Sequence, residues 1–211
     1  RWFSTKSMGV EAHVTAWAYD DEDFLGDVVF MRYRLLNKSQ DQIDSVYFSK
    51  YADTDIGDFE DDLVGCSPIR NLVFSYNDGN DSGYGSDPPA VGIVLLQGPV
   101  VDSPGNTASL FRQARKPLVL QNNKRVLRMT SFTPFLLNSF PSPFSFPVTA
   151  EQAHDYQIGG ITSDGIPVDP SQIGTGGSNQ DPKFVFNGWP LTPGSNNWLA
   201  DNSNNRAMLL T

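Results

Sequence analysis

Alternating apolar and polar residues run through the stretch Val10-Glu-Ala-His-Val-Thr-Ala-Trp-Ala-Tyr19, which is the pattern of a half-buried β-strand. Four acidic residues, 20–23, end this stretch. A second predicted strand follows, Val28-Val-Phe-Met-Arg-Tyr-Arg-Leu-Leu36, which is rich in aromatic and branched side chains. A third strand is predicted over 43–51. The short polar turns between these segments predict an antiparallel meander of three strands.

Further strand patterns occur at 70–76, 90–96 and 126–132. One segment has the features of a helix, 149–157, in which Thr149 is placed to cap the N-terminus and Gln152 occupies the third helical position. The two glycines at 159–160 are expected to end this helix. Glycine (18 residues) and proline (15 residues) are spread along the chain, so we expect frequent turns and no long helix.

These patterns predict an all-β fold, an antiparallel β-sandwich of the jelly-roll or immunoglobulin-like type, with one short helix and long ordered loops. All-β domains of this length commonly form one unit, so we predict a single β-rich domain over 1–211. Residues 207–211 resemble the start of a strand, so we expect the chain to continue beyond them.

The formal net charge of the chain is −9 at pH 7. This balance disfavours nucleic acid and anionic membranes as partners, because both require a basic surface. No apolar run approaches the ~20 residues that a transmembrane helix needs, so no transmembrane segment is predicted. Cys66 is the only cysteine, and we interpret it as a small buried hydrophobic residue.

The densest charge in the chain lies in Asp53-Thr-Asp-Ile-Gly-Asp-Phe-Glu-Asp-Asp62, with six acidic residues among ten. Carboxylates packed this tightly repel one another unless a positive charge compensates them. A calcium ion, which takes six to eight oxygen ligands, would provide that compensation, and Gly57 would permit the bend that brings the carboxylates together. The predicted metal ligands are Asp53, Asp55, Asp58, Asp61 and Asp62.

Calcium is favoured over zinc, because no His or Cys lies at ligand spacing in this loop. The spacing is not that of an EF-hand, since Gly57 falls one place early and Val64 occupies the position of the closing glutamate. A solvated acidic hairpin tip is the alternative. A second polar loop, 77–87, either completes this site, builds another one or simply turns the chain.

Two other classes of function stay open at this stage. Trp189 and Trp198 lie among Asn and Gly residues and would stack on sugar rings in a carbohydrate-binding module, unless they anchor loops to the core. A polysaccharide hydrolase would need two facing carboxyl groups, and 24 acidic residues give no way to select them. The basic stretch 112–128 is expected to pair with acidic loops of the same chain.

The run 46–58 together with 61–66 resembles a segment of large secreted proteins of Bacteroidetes and their relatives, which carry a C-terminal type IX secretion sorting domain. Further similar elements at 28–39, 88–92, 97–99, 129–132 and 206–211 occur, together with this run, in the expected order along the chain, whereas 149–164 departs from that pattern. The resemblance implies that the chain is a fragment of a larger secreted protein, located outside the cell or on its surface, and it implies no catalytic residue.

Taken together, the sequence predicts a secreted or cell-surface structural and interaction module with acidic loops stabilised by calcium. Its expected partners are a glycan or a surface or matrix protein. The polysaccharide hydrolase and the carbohydrate-binding module are the alternatives.

Overall fold

The computed structural model describes residues 8–77, 79–111, 118–136, 143–178, 180–188, 198–200 and 206–211, and these contain ten β-strands and one α-helix. The fold is all-β with antiparallel sheets, as predicted. The contacts divide the chain into two compact units, Arg1–Val46 and Tyr47–Thr211. The assignment of 1–211 to one domain stays a prediction.

The first unit contains a two-stranded ribbon of β1 (Val10–Ala18) and β2 (Val29–Asn37). The strands are antiparallel over their full length, with Val10 opposite Asn37 and Ala18 opposite Val29. On this ribbon the Trp17 and Phe30 rings stack, with centroids 5.4 Å apart. Both predicted strands are confirmed, whereas the half-buried character predicted for the first one is not, because eight of the nine residues of β1 are exposed.

The second unit contains two three-stranded sheets and a hairpin. One sheet has the order β3-β10-β9, and the other has the order β4-β5-β6. The strands are β3 (Lys50–Asp53), β4 (Asp62–Ser67), β5 (Leu72–Asn77), β6 (Val91–Val94), β7 (Val100–Leu110), β8 (Val119–Val126), β9 (Phe132–Leu136) and β10 (Arg206–Leu210). A single 3-10 turn, Pro68–Arg70, joins β4 to β5.

The two three-stranded sheets face each other across one hydrophobic core, the arrangement of a β-sandwich. Val64 and Val73 enter this core from the β4-β5-β6 sheet, and Phe132 and Met208 enter it from the other sheet. Segment 183–187 bridges both sheets at one side. There the N–H of Cys66 donates to the Phe186 carbonyl (3.1 Å), and the N–H of Phe132 donates to that of Lys183 (2.8 Å).

The helix α1 (Ala150–Ile158) matches its sequence prediction. The Gln152 N–H donates to the Thr149 hydroxyl (3.2 Å), and the Gln152 side chain accepts from the Val148 N–H (2.8 Å). Gly159 ends the helix with a φ of +80°. None of the helices in the described ranges is long and apolar enough to cross a membrane.

Three strand predictions need correction. The strand predicted over 43–51 is confined to its end, because Ser45 has a left-handed backbone (φ 55°) that interrupts the extended run. The strand that does form there, β3, pairs with β10 and not with β2, so the predicted antiparallel meander of three strands is wrong. The prediction over 126–132 is also wrong, because β8 ends at Val126 and β9 begins at Phe132.

Candidate functional site

The acidic loop starts on one sheet of the sandwich and ends on the other. Asp53 is the last residue of β3, and Asp62 is the first residue of β4. Residues 54–61 therefore cross between the two sheets. An interaction that orders this loop therefore also holds the ends of the two sheets together.

Asp81 joins the acidic loop to the second polar loop. One of its carboxylate oxygens accepts from the Asp58 N–H (2.7 Å), and the other accepts from the N–H groups of Gly83 (2.7 Å) and Tyr84 (2.6 Å). These backbone donors, that of Asp58 foremost, lower the pKa of Asp81. Part of the negative charge is thus stabilised by backbone N–H groups without any cation.

Gly57 makes this junction possible. Its φ is +65°, and a Cβ built at this position would lie 2.2 Å from the Asp81 Oδ1. Only glycine combines the left-handed backbone with this close approach. The expectation that Gly57 permits the bend of the loop is confirmed, although the neighbour that demands it is Asp81.

Asp62 is the buried member of the acidic loop, with 1% of its surface exposed. Its Oδ2 accepts from the Ile56 N–H (3.2 Å), and its Oδ1 has no hydrogen-bond partner in the part of the chain that the structure describes. Burial raises the pKa of Asp62 to about 6, the Ile56 N–H opposes this shift, and the neighbouring carboxylates add to it. A charged Asp62 is therefore held in an unfavourable environment.

The other four predicted ligands make different contacts. Asp61 accepts from the Asn77 side-chain amide, and burial followed by the charges of Asp81 and Asp58 raises its pKa. The pKa of Asp53 is raised by burial and by the charge of Asp55, and its carboxylate accepts from the Tyr51 hydroxyl (3.4 Å). Asp58 accepts from the N–H of Glu60 (3.0 Å). Asp55 is exposed.

These contacts do not build a cage of carboxylates. Within the described part of the chain, no three side chains of Asp, Glu, His or Cys stand close enough together to hold a metal ion. No Lys or Arg among the described residues forms a salt bridge with a carboxylate of 53–62 either. The calcium site therefore stays a prediction, and the buried Arg206, whose guanidinium lies over the Phe186 ring, places a positive charge in the same sandwich core.

Some buried polar side chains in this unit were not predicted as part of the site. Besides the Asp62 Oδ1, three buried side-chain oxygens have no hydrogen-bond partner among the described residues: Thr54 Oγ1, Ser75 Oγ and Asn77 Oδ1. Asn77 belongs to the second loop, which the sequence associates with the site. Thr54 and Ser75 carry no signal in the sequence, because hydroxyl side chains of this kind occur on strands and loops throughout the chain.

The remaining candidates have structural roles. Trp198 is fully buried in the sandwich core, and its ring N–H donates to the Ile173 carbonyl, so it anchors a loop and offers no sugar platform. Trp189 lies outside the described residues. In the basic stretch, Lys124 pairs with Asp102, and Arg128 donates to the carbonyl of Pro68 (3.1 Å). The expected pairing of this stretch with the acidic loop is not found among the described residues.

Comparisons with protein-family models, with curated proteins and with solved structures found no match to this chain. The geometry of the acidic loop and its neighbours is therefore the basis for the proposal that follows.

Proposed function

We propose that this chain is an extracellular or cell-surface structural and interaction module whose acidic loop is stabilised by calcium. The observation that supports it most is the buried Asp62 carboxylate, which has one oxygen without a hydrogen-bond partner. A bound cation would remove both the cost of burying this charge and the repulsion from its acidic neighbours.

The proposed location follows from the affinity that such a site would have. Calcium affinity rises with the number of charged ligands and the rigidity of the site, and sites of about 10⁻⁴–10⁻³ M are typical of extracellular modules. Asp62 is the one carboxylate here that is both buried and incompletely bonded. Calcium outside the cell would occupy a site of this kind.

The proposed interaction role follows from what the two loops display. Phe59 (43% exposed) and Tyr84 (56% exposed) lie on the two loops that Asp81 joins. Exposed aromatic side chains on ordered loops are common anchors for glycans and proteins. We therefore propose a glycan or a surface or matrix protein as the partner.

The calcium part of the proposal is tested by thermal unfolding in 5 mM CaCl₂ and in EGTA. We expect the unfolding temperature to be higher in calcium by a few degrees, because an ion that binds only the folded state adds RT ln(1 + [L]/Kd) to its stability. Equal unfolding temperatures at pH 7 would contradict it. MgCl₂ at the same concentration controls for ionic strength.

The interaction part is tested by screening the protein on glycan and matrix-protein arrays in calcium and in EGTA. We expect calcium-dependent binding that the double variant Phe59→Ser/Tyr84→Ser loses. The matched control is Phe24→Ser, which removes an exposed aromatic side chain from the first unit. Binding that survives the double variant would contradict the assignment of this surface.

A further inference from the structure

We propose that the outer edge of β3, together with an aromatic cavity beside it, binds an extended segment of a protein partner. The segment adds a strand to the sheet, places one apolar side chain in the cavity and pairs one basic side chain with Asp53. Neither Phe59 nor Tyr84 belongs to this surface, and its binding requires no calcium. It is therefore a second contact, in addition to the loop surface of the proposed function.

The strand β3 lies at the edge of its sheet. In the order β3-β10-β9, its one neighbour among the described strands is β10. The opposite edge of this sheet is covered, because the N–H groups of Phe132 and Leu136 in β9 donate to the carbonyls of Lys183 (2.8 Å) and Phe144 (3.0 Å). Among the described residues no backbone group binds the outer edge of β3. An edge of this kind can accept an added strand.

The side chains of β3 alternate between the two faces of this sheet. Tyr51 and Asp53 lie opposite Leu209 and Ala207 of β10, which belong to the small hydrophobic cluster that includes one residue of α1. This is the outer face of the sheet. Arg206 precedes Ala207 and projects to the opposite face, where its guanidinium lies over an aromatic ring of the sandwich core. The positive charge of Arg206 therefore does not line the outer face.

A cavity of about 180 Å³ lies on this outer face, between the sheet and α1. It is lined by the buried Phe135 and Leu209 of the sheet, by the exposed rings of Tyr51 and Phe146, and by Gln157 of the helix. The rings of Tyr51 and Phe146 meet edge to face, with centroids 6.4 Å apart. A cavity of about 150 Å³ accommodates benzene, so this one has room for a phenyl-sized side chain.

The exposure of the two rings provides the driving force for an apolar occupant. Tyr51 is 39% exposed and Phe146 is 41% exposed, although both rings contact the buried Phe135. Covering aromatic surface in a preformed pocket is the usual energetic centre of a protein–protein contact. The free backbone edge beside the pocket favours a polypeptide over a glycan as the occupant.

Carboxylates lie beside the aromatic cavity. Asp53 accepts from the Tyr51 hydroxyl (3.4 Å), and burial followed by the charges of Asp53 and Asp55 raises the pKa of Tyr51 to about 12. Lys50 alternates to the other face of the strand. No Lys or Arg among the described residues forms a salt bridge with either carboxylate. A basic side chain on the partner would complement them, and the net charge of −9 attracts a basic partner.

Strand geometry fixes the spacing of the two side chains in the partner. Side chains on one face of a strand are two residues apart, so one residue separates the side chain opposite Tyr51 from the side chain opposite Asp53. A partner that runs antiparallel to β3 therefore presents the order basic, any residue, apolar. A partner that runs parallel to β3 presents the reverse order.

Fluorescence anisotropy with two labelled heptapeptides tests this assignment, in EGTA so that no calcium competes for Asp53. The peptides are Thr-Thr-Arg-Thr-Phe-Thr-Thr and its reverse, Thr-Thr-Phe-Thr-Arg-Thr-Thr. We expect one of them to bind, and we expect serine in place of its phenylalanine to weaken binding by about tenfold or more. Glutamate in place of its arginine should also weaken binding. Absence of binding by both peptides up to about 1 mM would overturn the assignment.

Variants of the protein locate the bound peptide. Phe146→Ser should weaken its binding by about tenfold or more, and Asp53→Asn should weaken it several-fold and reduce its dependence on salt. The matched control Ile166→Ser removes an exposed apolar side chain that does not line the cavity, and it should change the affinity by less than about two-fold. Circular dichroism shows whether each variant is folded. An affinity that survives Phe146→Ser would contradict the role of the cavity.

Backbone methylation of the peptide distinguishes strand addition from docking of side chains alone. In a paired strand the N–H groups of alternate residues bond to the neighbouring strand. Peptides that are N-methylated at the odd or at the even positions should therefore differ, one losing its binding and the other keeping it. Equal affinities of the two methylated peptides would contradict strand addition.

The double variant Phe59→Ser/Tyr84→Ser separates this site from the proposed function. It should bind the peptide with the affinity of the wild type, whatever its binding to glycan and matrix-protein arrays. If the double variant loses the peptide and Phe146→Ser keeps it, the edge of β3 is not the site, while the proposed loop surface survives.

Discussion

Two segments of this chain, 20–27 in the first unit and 53–62 in the second, are both rich in acidic residues but differ in structure. In the first, all the carboxylates are exposed, and the Asp23 N–H donates to Asp21 within the turn. In the second, Asp62 is buried, and Asp81 from another loop binds the backbone of the segment. Density of acidic residues is therefore not what makes a candidate site.

The difference lies in what each segment connects. Residues 20–27 join two strands of one ribbon, so their side chains stay in water. Residues 53–62 cross between two sheets, so the strand that follows carries Asp62 into the end of the core. Water screens the first set of charges, whereas burial strengthens the mutual repulsion of the second.

The largest expected effect comes from Gly57→Ala, because Gly57 lies where the backbone of the acidic loop contacts the Asp81 carboxylate. The new Cβ would require a left-handed conformation and would displace the Asp81 carboxylate. We expect a loss of roughly 2 kcal/mol or more in the free energy of unfolding, measured by urea denaturation.

Gly165→Ala is the matched control for that variant. Gly165 has a φ of +73° and open space around its Cβ position, so its substitution should cost only the backbone strain, about 1 kcal/mol. Equal losses in the two variants would show that the contact between Gly57 and Asp81 contributes nothing.

The next effect in size is that of Asp81→Ala, which removes the acceptor of three backbone N–H groups. We expect the unfolding temperature to fall by several degrees, because these N–H groups would lose their acceptor and the two loops would no longer be joined by a hydrogen bond to Asp81. Asp20→Ala, in the exposed turn, should leave it unchanged within about 1 °C. A fall of the same size for Asp20→Ala would remove the distinction between the two segments.

The pH dependence of stability gives a smaller effect, to which Asp62 contributes together with Asp53 and Asp61, whose pKa values are also raised. The pKa of Asp62 is raised to about 6 in the folded protein, so folding takes up a proton between pH 4 and 6. The free energy of unfolding of the cation-free protein should therefore fall as the pH rises through this window. The lowered pKa of Asp81 acts in the opposite sense, and only below pH 4.

Urea denaturation in metal-free buffer at pH 4.5 and pH 7 measures this slope. Asp62→Asn should flatten it, whereas Asp20→Asn should leave it as in the wild type. A wild-type protein that becomes more stable between these two pH values would contradict the burial of a charged Asp62.

The smallest expected effect is that of neutralising the exposed turn. Replacing residues 20–23 by their amides should change the unfolding temperature by less than about 2 °C and leave calcium binding unaltered. Calorimetry in calcium and in EGTA measures both quantities. Loss of calcium binding in this variant would move the site to the first unit.

Local signals in the sequence explain what could be predicted. The strand-forming residues of β1 and β2 and the Thr149 cap of α1 are local features of the sequence, and these three elements were predicted correctly. The hairpin of β7 and β8 was missed, because Pro104 and Gly105 lie inside β7, where the register shifts between Asp102 and Thr107. Such residues normally indicate a turn.

The candidate site, like the fold, could be predicted from local sequence signals only in part. The acidic residues and the need for Gly57 are visible in the sequence, whereas the polar surroundings of Asp62 depend on which residue of β5 lies opposite it. A shift of one residue in that register would turn Asn77 and Ser75 to the other face of the sheet. Long-range pairing of this kind leaves no mark in the sequence around Ser75 or Thr54.

The most direct test of the account is a crystal structure with bound calcium and its anomalous difference map. We expect a peak about 2.3–2.6 Å from carboxylate oxygens of the acidic loop, the Asp62 Oδ1 among them. The absence of a peak within that distance of the Asp62 Oδ1 at saturating calcium would contradict it.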